Sequence, residues 1–105
     1  MLNLFPTLHA FAKVNGDAAA PSYINRVNFG TLARTGVGVY TLVPSQPIDA
    51  LQASLLGTVQ EANGVCVAIH TSDVLFTCNI FSITVVPAIA AADLDFSLLC
   101  LAYPI

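Results

Sequence analysis

From Val74 to Ala92 the chain runs 19 residues without a charged side chain. A run of that length either crosses a bilayer as a helix or lies as buried strand inside a protein. Its residue types decide between the two. Thr77, Asn79, Ser82, Thr84 and Pro87 interrupt it, and Phe81, Ile83 and Val85 alternate with Ser82 and Thr84. That alternation is the two-residue period of a strand, not the period of a helix. The flanks are Asp73 and Asp93, with no Lys or Arg to set an orientation in a bilayer. The stretch reads as strand, and no membrane partner is expected.

The rest of the chain carries the same period. Thr7 to Val14 alternates and stops at Asn15-Gly16, a strong turn dipeptide. Ser22 to Arg34 is one long β-tending segment with Gly30 inside it, where a bulge or a corner is expected. Thr35-Gly36 turns the chain into Val37 to Val43, a hairpin, and Pro44 to Pro47 makes the next corner. Pro47 makes Ile48 to Leu56 the strongest helix candidate, but the alternation from Ala50 to Gln60 and Gly57 favour a strand. Leu51, Ala53, Leu55, Gly57 and Val59 share one face of it; Gln52, Ser54, Thr58 and Gln60 share the other. Asn63-Gly64 opens a strand through Val65, Val67 and Ile69, and His70 to Asp73 reads as a tight polar turn into Val74 to Val86. Pro87 to Ala92 reads as a small-residue loop, and Leu94 to Tyr103 as the last strand. Turns at this spacing predict one all-β domain over residues 1–105. The expected architecture is an antiparallel β-sandwich, jelly-roll-like, of six to eight strands, with residues 1–6 as an extended N-terminal arm.

Charge then limits what such a domain does. Lys13, Arg26 and Arg34 stand against Asp17, Asp49, Glu61, Asp73, Asp93 and Asp95, which is 9% of the residues where about 25% is ordinary. Three cations exclude a nucleic-acid binder that works by neutralising phosphates, and a basic membrane-surface helix as well. The 56% of hydrophobic residues excludes disorder. A folded monomer of this mass exposes on the order of 5,600 Å², roughly 600 Å² per charge. Such a surface carries contiguous apolar patches, and those mark contact sites.

The last strand locates one. Leu94, Phe96, Leu98, Cys100 and Ala102 form an apolar face, while the opposite face reads Asp95, Ser97, Leu99, Leu101, Tyr103. A solvated face stays polar, whereas this one turns apolar toward the C-terminus. The preferred cover is a subunit interface, with Leu2, Leu4, Phe5, Leu99, Leu101 and Tyr103 as candidate contact residues. The alternative is a central strand covered by the domain's own loops.

Little in the chain supports catalysis. Cys66, Cys78 and Cys100 fit neither a zinc pattern nor a disulfide framework and read as three buried thiols of a reducing compartment. His9 reads as a surface or rim residue on the first strand. His70, Thr71, Ser72 and Asp73 are too close in sequence to form a nucleophile–base–orienter set. Asp93 and Asp95 lack the glycine turn and bidentate glutamate of a calcium loop and read as the lead-in to the last strand. No glycine-rich phosphate cradle precedes a helix, and the N-terminus lacks the basic start of a signal peptide. No enzyme activity, cofactor or metal is expected. A rim carrying Tyr23, Tyr40 and Tyr103 keeps a sugar-binding reading open.

A resemblance gives these features a setting. The residues are Ala10-Phe11-Ala12-Lys13-Val14-Asn15-Gly16, then Tyr23-Ile24-Asn25-Arg26-Val27, then Leu32-Ala33-Arg34-Thr35-Gly36-Val37-Gly38-Val39-Tyr40-Thr41-Leu42. With Pro47-Ile48-Asp49 and Ala92-Asp93 they resemble, in order, a β-sandwich module of tailed-bacteriophage virion proteins. Val43-Pro44 replaces the aromatic residue that many members carry there, and the strand from Leu51 to Val59 is poor in aromatics. The resemblance implies a structural virion protein, a cement or decoration protein on the capsid surface, made in the host cytoplasm. Its expected partners are the major capsid protein and copies of itself, as a dimer or trimer. A tail-fibre or spike tip binding host-surface glycans is the alternative. Met1 at the head of the module, with no shaft or coiled coil before it, sets the expectation of a capsid-docked chain. Within the signature hairpin, Gly36 and Gly38 are expected to take positive φ, and Tyr40 to pack its ring and cap a backbone group. Arg34, just before the turn, either pairs with a carboxylate or is solvated, and solvation is the preferred expectation.

Overall fold

A computed structural model describes residues 7–16, 19–48, 53–85 and 88–102. Among them the chain forms strands β1 (Thr7–Asn15), β2 (Ser22–Val27), β3 (Phe29–Gly36), β4 (Val39–Pro44), β5 (Ala53–Val59), β6 (Gly64–Ser72), β7 (Leu75–Val85), β8 (Ala88–Ala91) and β9 (Phe96–Ala102). One sheet has the order β2-β1-β9-β5; the other has β3-β4-β7-β6, with β8 also paired to β7. Every pairing is antiparallel. The fold is an antiparallel β-sandwich, with no helix among the described residues and none long and apolar enough to cross a membrane.

Nine strands exceed the six to eight expected, for two local reasons. The long segment from Ser22 to Arg34 is broken at Asn28, whose φ is 60°. Asparagine tolerates that left-handed conformation at modest cost, because its short polar side chain bonds locally. Here the Asn28 amide donates to the His9 carbonyl at 2.7 Å, and the Asn28 carbonyl accepts from the Ser45 N–H at 2.8 Å. The break sends β2 to the first sheet and β3 to the second. The second reason is β8, which occupies most of the expected small-residue loop and pairs Ala90 with Ser82 and Ala91 with Phe81. The polar turn expected at His70 also moves: β6 continues to Ser72, so His70 is a strand residue.

Alternation builds the core. Ala10, Ala12 and Val14 of β1 and Phe96, Leu98 and Cys100 of β9 face inward from the first sheet, all fully buried. Phe29, Tyr40, Leu42, Phe76, Cys78 and Ile80 oppose them from the second. Tyr40 and Phe96 join the layers, with ring centroids 5.0 Å apart, and Phe29 meets Phe76 edge-on at 5.7 Å. Burying each large side chain contributes roughly 1.5–3 kcal/mol, so this two-layer stack is the main source of stability. Phe96, Leu98 and Cys100 thus lie on the inner face expected of the last strand. Gly57 of β5 sits where the layers converge at one side: a Cβ there would meet the Cys66 Sγ at 2.5 Å.

Candidate functional site

Two places on this frame concentrate unusual side chains. The first is an internal clamp at Asp93, just before β9. Its Oδ1 accepts from Arg34 Nε at 3.0 Å, from the Gly38 N–H at 2.9 Å and from the Tyr40 hydroxyl at 2.7 Å; its Oδ2 accepts from Arg34 Nη2 at 3.0 Å. The fork of a guanidinium matches a carboxylate in this two-bond geometry. Arg34, foremost, holds the Asp93 carboxyl well below the usual carboxylate range, helped by Gly38 and Tyr40. The pairing raises Arg34 in turn, and burial first, then Asp93, pushes Tyr40 far up.

Three of the four signature-hairpin residues thus converge on one carboxylate. Arg34 is not solvated as expected; it is ion-paired and mostly covered. The Tyr40 hydroxyl serves a carboxylate, not a backbone group. Gly38 takes the positive φ expected of it, 67°, whereas Gly36 ends β3 without one. A Cβ on Gly38 would collide with the Ile80 carbonyl and stand 2.9 Å from Ala92 N and O, while one on Gly36 meets nothing within 4 Å. Only Gly38 lets the β3–β4 turn slot in beside β7, where its carbonyl accepts from the Ile80 N–H at 2.7 Å. Asp95 does the neighbouring work: its Oδ1 accepts from the Gly16 N–H at 2.9 Å, tying the end of β1 to the start of β9.

The second place is the outer face of the first sheet. Register puts Val27, Phe11, Leu99 and Leu56 side by side across β2, β1, β9 and β5. Leu8 stands opposite Leu101 in the neighbouring row. Leu8 and Leu56 are 51% and 54% exposed, and Leu99 and Leu101 are half-buried. One row the other way, Asn25, Lys13, Ser97 and Thr58 restore polarity. The face is apolar over half its length and polar over the rest.

Of the expected contact residues, Leu99 and Leu101 lie on this face, and Leu2, Leu4, Phe5 and Tyr103 lie outside the described residues. Val27, Phe11, Leu8 and Leu56 were not expected. Leu56 alone carried a signal, as the one apolar residue among Ser54 and Thr58 on its side of β5.

The other chemical candidates disperse. His9 is exposed, as expected of a rim residue. Both ring nitrogens of His70 are buried without a hydrogen-bond partner; the ring lies edge-on to Phe76, and Nε2 is 3.9 Å from Asp73. Cys66, Cys78 and Cys100 are free thiols. The hydrogen bond with Cys66 and burial push the Cys78 thiol far up, and burial raises Cys100. No group of three or more potential metal ligands exists among the described residues. Tyr40 is buried, and Tyr23 is half-buried with its hydroxyl on the Gly30 carbonyl and Arg26 over its ring.

Compared with protein-family models, curated proteins and solved structures, the chain matches none.

Proposed function

We propose that this chain is a structural protein of a tailed-phage particle, a capsid cement or decoration protein that acts through protein–protein contact. The observation that supports this most is the apolar row Val27–Phe11–Leu99–Leu56 with Leu8 and Leu101 beside it. Contiguous apolar surface of this kind is typical of contact sites. The resemblance of its strand and turn motifs, in order, to those of phage virion modules supplies the setting. Docked on a capsid, such a face joins neighbouring capsomers and raises the heat resistance of the shell by mass action. The proposed location is the capsid surface of the virion, after synthesis in the host cytoplasm. The proposed partner is the major capsid protein, and the chain acts without cofactor or catalysis.

The test is copy number and load. Purified particles are expected to hold many copies in icosahedral arrangement, and shells without the chain to lose heat resistance. Leu56→Asp, at an exposed site, is expected to keep the fold and abolish loading. A few copies at the tail, with glycan binding, would replace this reading by the fibre-tip one.

A further inference from the structure

The four sheet edges are not alike. β2 carries a register shift opposite Lys13 and Val14, and its Arg26 lies over Tyr23. β3 has register shifts near both ends and carries Arg34. β5 is likewise free of charge and in unbroken register with β9, but it is seven residues long and its outer side carries Ser54 and Thr58 beside Leu56. β6 is the longer edge, and its outer side is apolar. It is nine residues long, carries no Asp, Glu, Lys or Arg, and stays in unbroken register with β7 from Gly64 to His70. It stands at the end of its sheet. Every second N–H and C=O of such a strand points away from the sheet, and natural proteins normally blunt such an edge with charge, proline or a bulge. On its outer side Val65, Val67 and Ile69 are exposed, the last two at 46%.

We infer that β6 pairs antiparallel with β6 of a second copy, joining two five-stranded sheets into one across a two-fold axis. The sequence of the strand is complementary to itself. Centred on Ala68, the pairing sets Val67 against the second copy's Ile69 and Val65 against its Thr71, so β-branched side chains meet across the join. The area suffices as well. A nine-residue strand is about 30 Å long, and two layers with their side chains are about 20 Å deep. The flank therefore buries roughly 600 Å² per copy and about 1,200 Å² in all, the threshold of a specific interface.

This deepens the proposed function and rests on it for its purpose. A two-fold axis perpendicular to the joined sheet leaves the apolar outer faces of both first sheets pointing the same way. One dimer then grips its capsid with two patches, and the second contact gains from effective concentration.

Sedimentation of the purified chain at micromolar concentration tests the pairing. The wild type is expected to sediment as a dimer. Val67→Lys and Ile69→Lys are each expected to give a monomer with unchanged circular dichroism and melting temperature. A monomeric wild type overturns the pairing, and so does a dimer that survives both lysines. Leu56→Asp is expected to remain a dimer; a monomer there would move the join to the outer face and overturn the inference. Each failure is distinguishable from failure of the capsid reading, because particle loading by Leu56→Asp is read separately from the state of the free chain.

Discussion

The clamp at Asp93 and the outer face of the first sheet treat charge in opposite ways. At the clamp, four hydrogen bonds from three residues fill one carboxylate, and two of the nine charges of the chain are used up internally. On the outer face, Val27, Phe11, Leu99 and Leu56 lie in a row with no ion among them. The difference teaches that the surface is poorer in charge than composition suggests. Polar groups go first to holding the hairpin β3–β4 against β9, and what is left cannot cover the exterior. The clamp specifies one arrangement of the chain; the face keeps Leu8, Val27 and Leu56 exposed to solvent.

That contrast can be broken at its strongest point first. Gly38→Ala forces a side chain into a left-handed backbone and into the Ile80 carbonyl. It is expected to cost about 4 kcal/mol or to abolish folding, read by urea denaturation. A mild effect would mean that the hairpin does not need its slot beside β7. Asp93→Ala comes next. It leaves a guanidinium, a phenol and an N–H without their acceptor, and about 3 kcal/mol of stability should disappear.

Acid sharpens the same point. The folded carboxyl of Asp93 titrates below its unfolded value, so its stabilisation is complete above about pH 4 and is lost as pH falls toward the lower folded value. Denaturation midpoints should drop over that range in the wild type and stay flatter in Asp93→Asn. Base acts in the reverse sense at Tyr23, whose pKa burial pushes up to about 12. Its contribution is present below about pH 10 and lost as pH rises through 10 toward 12, so Tyr23→Phe should reduce that loss. At neutral pH the same change removes the bond to the Gly30 carbonyl and should cost about 1 kcal/mol. Smallest of all is Leu56→Asp, expected within about 0.5 kcal/mol of wild type in stability. If it unfolds the chain instead, the outer face belongs to the core and the contrast fails.

The sandwich was legible because alternation is a local property. The inner face of β9 was read correctly from Phe96, Leu98 and Cys100 without knowing any neighbour. The contact face was half legible for the opposite reason. Leu99 and Leu101 share a strand and announce themselves, but Val27, Phe11 and Leu56 join them only through the register of three other strands, which no single segment encodes. The clamp was missed on the same ground. Arg34 and Asp93 are 59 positions apart, and exposed pairs are weak enough that solvation is the natural expectation for an arginine beside a turn. Only the partial burial of both, with Tyr40 and Gly38 already in place, makes the ion pair worth forming. Asn28 was passed over because one residue with positive φ is enough to divide a strand that composition presents as continuous.

Two of the three thiols carry a consequence for experiment. Cys78 and Cys100 have no exposed surface, and their raised pKa keeps them in the unreactive protonated form. An alkylating reagent can therefore reach them only while the layers part. The pace of labelling becomes a clock for breathing, and any substitution that loosens the two layers should quicken it.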